Sequence, residues 1–344
     1  MVRIIRGFVI PYPRYNPDTN NYVDVLDVTD ELKNIWPKLL EYISLALKHL
    51  NTYYEGLLEL LKNIEGDSEE VRRRLQMILG DKHVLIADII VWLLRAPLYQ
   101  DPVENVIVSP YKLYLILRLL PPDVLKLLFR EIGVVDIGRP LETLKSILDV
   151  VHKFGRWECK EELDGDVTAE YRILNSVVCL LKIVDKEEFR EVVEKALLLA
   201  PADTRPGFNT VNLITHLILT SAITWALNGS SKEILAALLH DIGKPLDPEN
   251  HVRKSVEEAR RLLSNIYKIL TRDEIDEIIW LIEKHHDKGN IIERADKIAA
   301  GERNPQLVKK ILVEDLREKI KKLVEEKRLE KYRGYLEDPV KVYE

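Results

Sequence analysis

Apolar residues recur at three- and four-residue intervals along most of this chain, the signature of amphipathic helices. The stretch from Glu31 shows it most clearly, with Leu39, Leu40, Ile43, Leu47, Leu50 and Tyr54 lining one helical face. The same periodicity predicts helices over 68–80, 82–95, 110–118, 121–131, 140–153, 168–184 and 186–199. Gly66-Asp67, Ala96-Pro97, Pro121-Pro122 and Gly138-Arg139-Pro140 break the pattern between them. Residues 1 to about 30 differ: Pro11, Pro13 and Pro17 interrupt the alternating Ile4, Phe8 and Ile10, so an irregular or short-strand start is expected. The run from Pro201 to Gly207 breaks the periodicity again and is expected to divide residues 1–200 from 201–344. Beyond it the pattern predicts helices over 209–227, 231–241, 252–270, 272–286, 290–300 and 306–329, the first capped by Asn209 or Thr210. The expected architecture is all-α, a helical bundle preceded by a second, mostly helical N-terminal domain.

Composition sharpens that picture. With 344 residues, 46% hydrophobic and 31% charged, the chain has enough length and apolar surface for two domains and a sizeable core. Scarce Met and Cys beside many charges fit a protein from a hot environment. The formal net charge of −6 does not mark the whole molecule as a nucleic-acid binder. Basic residues are dense from Lys309 to Arg328, but Glu314, Asp315, Glu318, Glu325 and Glu326 are interspersed, as on an ion-paired solvated helix. Cys159 and Cys179 lack metal-type spacing and read as free thiols or one disulfide. The longest apolar run, Val84 to Leu94, is broken by Asp88 and too short to span a bilayer, and no signal peptide opens the chain. A cytoplasmic location with no membrane partner is expected.

Candidate chemistry is concentrated in one window. Five of the eight histidines, His216, His240, His251, His285 and His286, fall between positions 216 and 286, with Asp241, Asp287 and Asp296 in or beside the same stretch. His49, His83 and His152 are scattered through the first 200 residues and read as ordinary structural or surface histidines. His216 has apolar neighbours, Leu213, Ile214, Leu217, Ile218 and Leu219, so its imidazole needs a buried partner. Asp296 sits among similarly small or apolar residues, and a buried carboxylate needs a cation to stay ionised. The dipeptide His240-Asp241 ends an apolar run and leads into Gly243 and Lys244. Imidazole beside carboxylate suits a hydrolytic divalent cation.

The ordered set His216, His240-Asp241 and Asp296 resembles the HD superfamily of metal-dependent phosphohydrolases, an all-helical fold. The resemblance spans about residues 209–300 and implies that these four residues hold one divalent metal between helices. It further implies that His251 and the pair His285-His286 serve a second ion. Water activated between such cations attacks phosphorus without a serine or cysteine nucleophile. Asp241 and Lys244 are the candidate catalytic pair, with Lys244 reaching either a phosphate oxygen or a nearby carboxylate. Gly243 is expected to permit a tight turn after the ligands. Asp287 is expected beside the ligands or as a cap.

Two flanking stretches narrow the resemblance. Pro201-Ala202-Asp203-Thr204-Arg205, followed by Thr215-His216-Leu217, resembles the segment that introduces the HD nuclease domain in the large subunit of type III CRISPR effector complexes. Thr215 stands where that family carries aspartate. The run from Ala295 to Arg303 is also similar to that family. The resemblance implies cleavage of single-stranded DNA, typically with manganese, nickel or cobalt, and partnership with other CRISPR effector subunits and CRISPR RNA; for the ion itself magnesium stays open as well. The chain has no Gly-Gly-Asp-Asp motif, so it does not make cyclic oligoadenylate by that family's mechanism, and no phosphate-binding Gly-rich loop of an ATP-driven helicase. About 200 helical residues precede the motif window, unlike those subunits. Two other functions stay open: hydrolysis of nucleotides or cyclic dinucleotides, and a non-catalytic scaffold. A nuclease is expected to line a basic groove with Arg253, Lys254, Arg260 or Arg261, residues that otherwise are simply exposed helix surface.

Overall fold

A computed structural model describes residues 9–16, 21–27, 29–96, 110–128, 158–160, 163, 167–202 and 212–301. The chain opens with an antiparallel hairpin, β1 (Val9–Asn16) and β2 (Asn21–Asp27), paired from Val9↔Asp27 to Asn16↔Asn21 with an irregularity between Tyr12 and Tyr15. Pro11 lies within β1, tolerable because a two-stranded sheet has only edge strands. Every other regular element among the described residues is helical: α1 (Thr29–Glu65), α2 (Ser68–Leu79), α3 (Lys82–Arg95), α4 (Pro110–Leu119), α5 (Pro122–Leu128), α6 (Ala169–Asp185), α7 (Glu187–Leu199), α8 (Leu213–Ala226), α9 (Ser231–Leu239), α10 (His251–Leu263), a 3₁₀ turn (Ser264–Ile266), α11 (Arg272–Glu283) and α12 (Ile291–Gly301). Among the described residues the protein is all-α apart from the hairpin. The expected helices over 140–153 and 306–329, His152 and the charged stretch from Lys309 to Arg328 lie outside the described residues.

Local chemistry starts these helices where the sequence places polar caps. Asp67 and Asp81 accept backbone N–H groups at the starts of α2 and α3, and Thr168 caps α6. Ser230 with Glu233, and Thr271 with Glu274, form reciprocal capping boxes at α9 and α11. The cap of α8 is Asn212, not Asn209 or Thr210, so His216 stands in the first turn of a shorter helix rather than at its centre.

The long helix α1 is the spine of the molecule. Leu32, Trp36, Leu39, Leu40, Ile43, Leu47 and Leu50 are all buried along it, while Tyr54 is only half-buried. It packs against α6 and α7, and Gly56 allows the approach, since a Cβ there would come within 2.9 Å of the Ala169 carbonyl. Cys159 and Cys179 are joined as a disulfide. His49 from α1 lies within 4.8 Å of both sulfurs, which bond to each other. Among the described residues, no helix is long and apolar enough to cross a membrane.

Residues on both sides of position 200 share one continuous hydrophobic core. Polar groups stitch the same junction. Asn51 Oδ1 accepts the Lys268 backbone N–H at 2.9 Å, and Asn265 donates to Ser44 Oγ. Lys82 Nζ reaches Glu274 at 2.8 Å and the Ile269 carbonyl at 3.1 Å. The N-terminal helices are therefore a wall of the bundle that carries the motif histidines.

Candidate metal centre

The donors gather at helix ends. α9 buries Leu235, Ala236, Ala237, Leu238 and Leu239 and then stops, so His240 takes the C-cap position and residues 241–246 form turns. α11 likewise ends at Glu283, and His285 and His286 occupy the turn that follows. His251 is the first residue of α10, and Asp296 sits within α12. The expected helices 231–241 and 272–286 thus overrun the observed ones by two or three residues. The difference matters, because turn residues escape the 100° spacing that would splay neighbouring side chains.

Backbone carbonyls orient the rings. His240 Nδ1 donates to the Ala237 carbonyl at 2.7 Å and His285 Nδ1 to the Ile282 carbonyl at 2.6 Å. His251 Nδ1 does the same to Pro248 at 3.3 Å. A carbonyl only accepts, so each Nδ1 carries the proton and each Nε2 presents a lone pair. Histidines that ligate metals are commonly oriented this way.

These lone pairs meet around one carboxylate. Donor atoms of His216, His240 and Asp241 lie within 4.8 Å of one another, as do those of His251, His285 and His286. Asp241 links its own group to the other, with Oδ1 3.6 Å from His251 Nε2 and 3.9 Å from His285 Nε2, and Oδ2 3.8 Å from His240 Nε2. Asp296 Oδ1 lies 3.0 Å from His216 Nε2 and 3.9 Å from His240 Nε2. All seven expected ligands therefore converge. His216, His240, Asp241 and His285 are buried, whereas His286 is exposed and opens the second group to solvent.

The protonation states suit cation binding. Burial lowers the pKa of His240 despite the nearby Asp241 carboxylate, and pushes His285 down to about 4. Burial works to raise Asp241, but the Lys244 ammonium and the surrounding imidazoles hold it well below the usual carboxylate range. Asp296, also raised by burial, is brought down to about 2 by the His216 imidazole and His240. Neutral imidazoles and ionised carboxylates are the forms that ligate metals. Yet His240 Nε2, His285 Nε2 and Asp241 Oδ1 are buried without a hydrogen-bond partner. Such atoms cost roughly 1–3 kcal/mol each unless something satisfies them. Divalent cations bound at these donor groups would satisfy such atoms, and a set that mixes imidazoles with carboxylates is one that divalent metals accept.

Lys244 Nζ lies 2.8 Å from Asp241 Oδ2, so of its two expected positions the structure shows the one on the carboxylate. Gly243 is not in the left-handed region; its lack of a side chain serves close packing. A Cβ there would sit 2.3 Å from Lys254 C and Ser255 N on α10. Asp287 is exposed and pairs with Lys284 at 3.9 Å. His83 is buried at the α3 cap beside Asp81 and Glu274, away from the donor groups. Sequence reasoning missed two residues. Ser255 accepts the Gly243 N–H at 3.0 Å, and Trp36 Nε1 donates to the Ile242 carbonyl at 2.8 Å. Ser255 carries a faint signal: it and Ala259 put small residues on the buried face of α10. Trp36, 206 positions from its acceptor, carries none.

The fold and site define a helical protein whose clustered imidazole and carboxylate donors could hold metal ions. Residues 213–331 match the HD domain family, which agrees with that chemistry, because HD domains are generally metal-dependent phosphohydrolases. The described part of that span holds all seven donors. No curated protein matches the chain.

Proposed function

We propose that this protein is a divalent-metal-dependent phosphodiesterase that cuts single-stranded DNA. The observation that carries the hydrolytic part is the buried Asp241 carboxylate, which belongs to the His216–His240–Asp241 group, faces His251 and His285 of the second group at 3.6 and 3.9 Å, and has Oδ1 without a hydrogen bond. His216, His240, Asp241 and Asp296 would hold one cation, and His251, His285 and His286, with Asp241 between, a second. Bound there, the cations would supply Lewis acidity to a phosphoryl oxygen and make water a competent nucleophile near neutral pH. Lys244 keeps Asp241 ionised and adds positive charge beside the reacting phosphate. Buried helix ends exclude water from one side, and the exposed His286 edge admits substrate. The orphaned donor atoms speak against a purely scaffolding role.

Single-stranded DNA as substrate, and CRISPR effector subunits as partners, rest on the resemblance of Pro201–Arg205 and Ala295–Arg303. Of those stretches, residues 203–205, 302 and 303 lie outside the described residues. One observation favours a smaller substrate, a nucleotide or cyclic dinucleotide. Each of the four bases expected to line a groove is already ion-paired: Arg253 with Asp247 and Glu257, Lys254 with Glu257 and Glu258, Arg260 with Asp276, and Arg261 with Glu258. A side-by-side assay separates the readings. Single-stranded DNA, duplex DNA, RNA, mononucleotides and cyclic dinucleotides are each offered with manganese, nickel, cobalt or magnesium. The proposal expects single-stranded DNA to be cut fastest; turnover of mononucleotides or cyclic dinucleotides alone would replace it with the small-substrate reading.

A further inference from the structure

Asp241 lies two residues beyond the end of α9, where the helical hydrogen-bond ladder has stopped. The turn that carries it is fixed by local bonds and by two groups distant in sequence. The Asp241 and Gly243 carbonyls accept N–H groups from within the turn, from Lys244 and from Leu246 and Asp247. The Ile242 carbonyl accepts the Trp36 indole N–H at 2.8 Å, in a fully buried bond across 206 positions. On the other side of the same peptide, Gly243 N–H donates to Ser255 Oγ, one turn after His251 on α10. The Ile242–Gly243 peptide is thus clamped from α1 at its carbonyl and from α10 at its N–H.

We propose that Trp36 is a positioning residue of the metal centre, acting through the Ile242 carbonyl to fix where the Asp241 carboxylate stands. The inference rests on the metal reading above. It assigns a role to the N-terminal helices: α1 aims a ligand of the neighbouring bundle. The geometry demands such aim, because metal–ligand distances are set to within about 0.2 Å, and one carboxylate here faces donors from three separate segments. Packing alone asks of position 36 only a large apolar ring. The indole N–H is the part that specifies the turn, since losing it leaves a buried carbonyl without a donor.

Cobalt(II) titration of the full chain, followed by the d–d absorption of the bound ion, tests this without relying on turnover. Trp36→Phe removes the donor, and Asn51→Ala breaks a different hydrogen bond of the same junction, the one to Lys268. Partners that orient metal ligands are typically worth 10–100-fold in affinity. Trp36→Phe should therefore weaken cobalt binding by about tenfold or more and alter the spectrum. Asn51→Ala should lower the melting temperature with affinity and spectrum unchanged. Equal melting shifts with unchanged cobalt affinity in both variants would overturn the proposal and leave Trp36 a core residue. Wild-type protein that takes up no cobalt would remove the metal reading itself, and this role with it. Should Trp36→Phe fail to fold, 3-benzothienylalanine at position 36 keeps the bicyclic shape and removes only the N–H. The same loss of affinity is expected, and retained affinity would sink the idea.

Discussion

Asp241 Oδ1 and His285 Nε2 stand 3.9 Å apart in the interior, and neither has a hydrogen-bond partner. The imidazole is held with its lone pair toward the carboxylate by the Ile282 carbonyl. Two buried acceptors that face each other across such a gap cost free energy, which a cation between them would offset.

That arrangement makes metal-free stability depend on pH. The folded-state pKa values of His240 and His285 are lowered, the latter to about 4, against 6.5 for an ordinary imidazole. Between those limits the unfolded chain binds more protons than the folded one, so stability rises with pH across the window and is lost as pH falls from 6.5 toward 4. His285 alone contributes about 3 kcal/mol by this linkage. His83, also lowered by burial, adds in the same direction. Asp241 and Asp296 are depressed below 3.8, so their contribution is present above that value and declines at lower pH, for Asp296 toward about 2. Urea unfolding in EDTA should show a lower midpoint at pH 5 than at pH 7. A midpoint that is equal or higher at pH 5 would mean these imidazoles are charged in the fold.

Gly243→Ala should be among the most damaging single-carbon additions to this chain. The new methyl would meet backbone atoms of Lys254 and Ser255 at 2.3 Å, which cannot yield by a rotamer change. Displacing α10 moves His251, so a cost of about 3 kcal/mol or more should come with weakened metal binding. Thermal melting and cobalt titration read the two effects. An unperturbed variant would show that α10 packs less closely on the turn.

The Cys159–Cys179 disulfide joins residues 20 positions apart, beside His49 and α6. Loop-closure entropy assigns such a cross-link about 3 kcal/mol. Reduction, or Cys179→Ser, should lower the melting temperature by several degrees while leaving cobalt affinity unchanged, because the bond lies in a different part of the bundle from the donors. A thiol titration that finds two free cysteines in unreduced protein would contradict the bond.

Much of this is legible in the sequence, for identifiable reasons. The helical period of α1 is carried by residues that are in fact buried, and the capping boxes at Ser230 and Thr271 are local signals. His216 and Asp296 stand out as donors because a polar group in an apolar run needs a buried partner. His251, His285 and His286 follow from the resemblance, through their place in the ordered set. What escapes is tertiary. α9 stops at Leu239 although its apolar pattern runs to His240, since the ring bonds back to Ala237 and the chain turns to present Asp241. Gly243 reads as a turn residue, whereas the structure needs it bare because α10 passes against it. Trp36 holds the other side of the same peptide from 206 positions away. No local pattern encodes that pairing.

The central claim is that Asp241 organises a divalent-cation centre that hydrolyses phosphodiesters. Metal content by mass spectrometry and cleavage of single-stranded DNA, measured on the same preparations of wild type and Asp241→Ala after manganese or cobalt loading, test it most directly. Wild type should retain one or two ions per chain and cut, while the folded variant should lose the ions and about a hundred- to a thousandfold of the rate, the scale of removing a principal electrostatic group from an active site. A folded Asp241→Ala protein that keeps its metal and its activity would contradict the account.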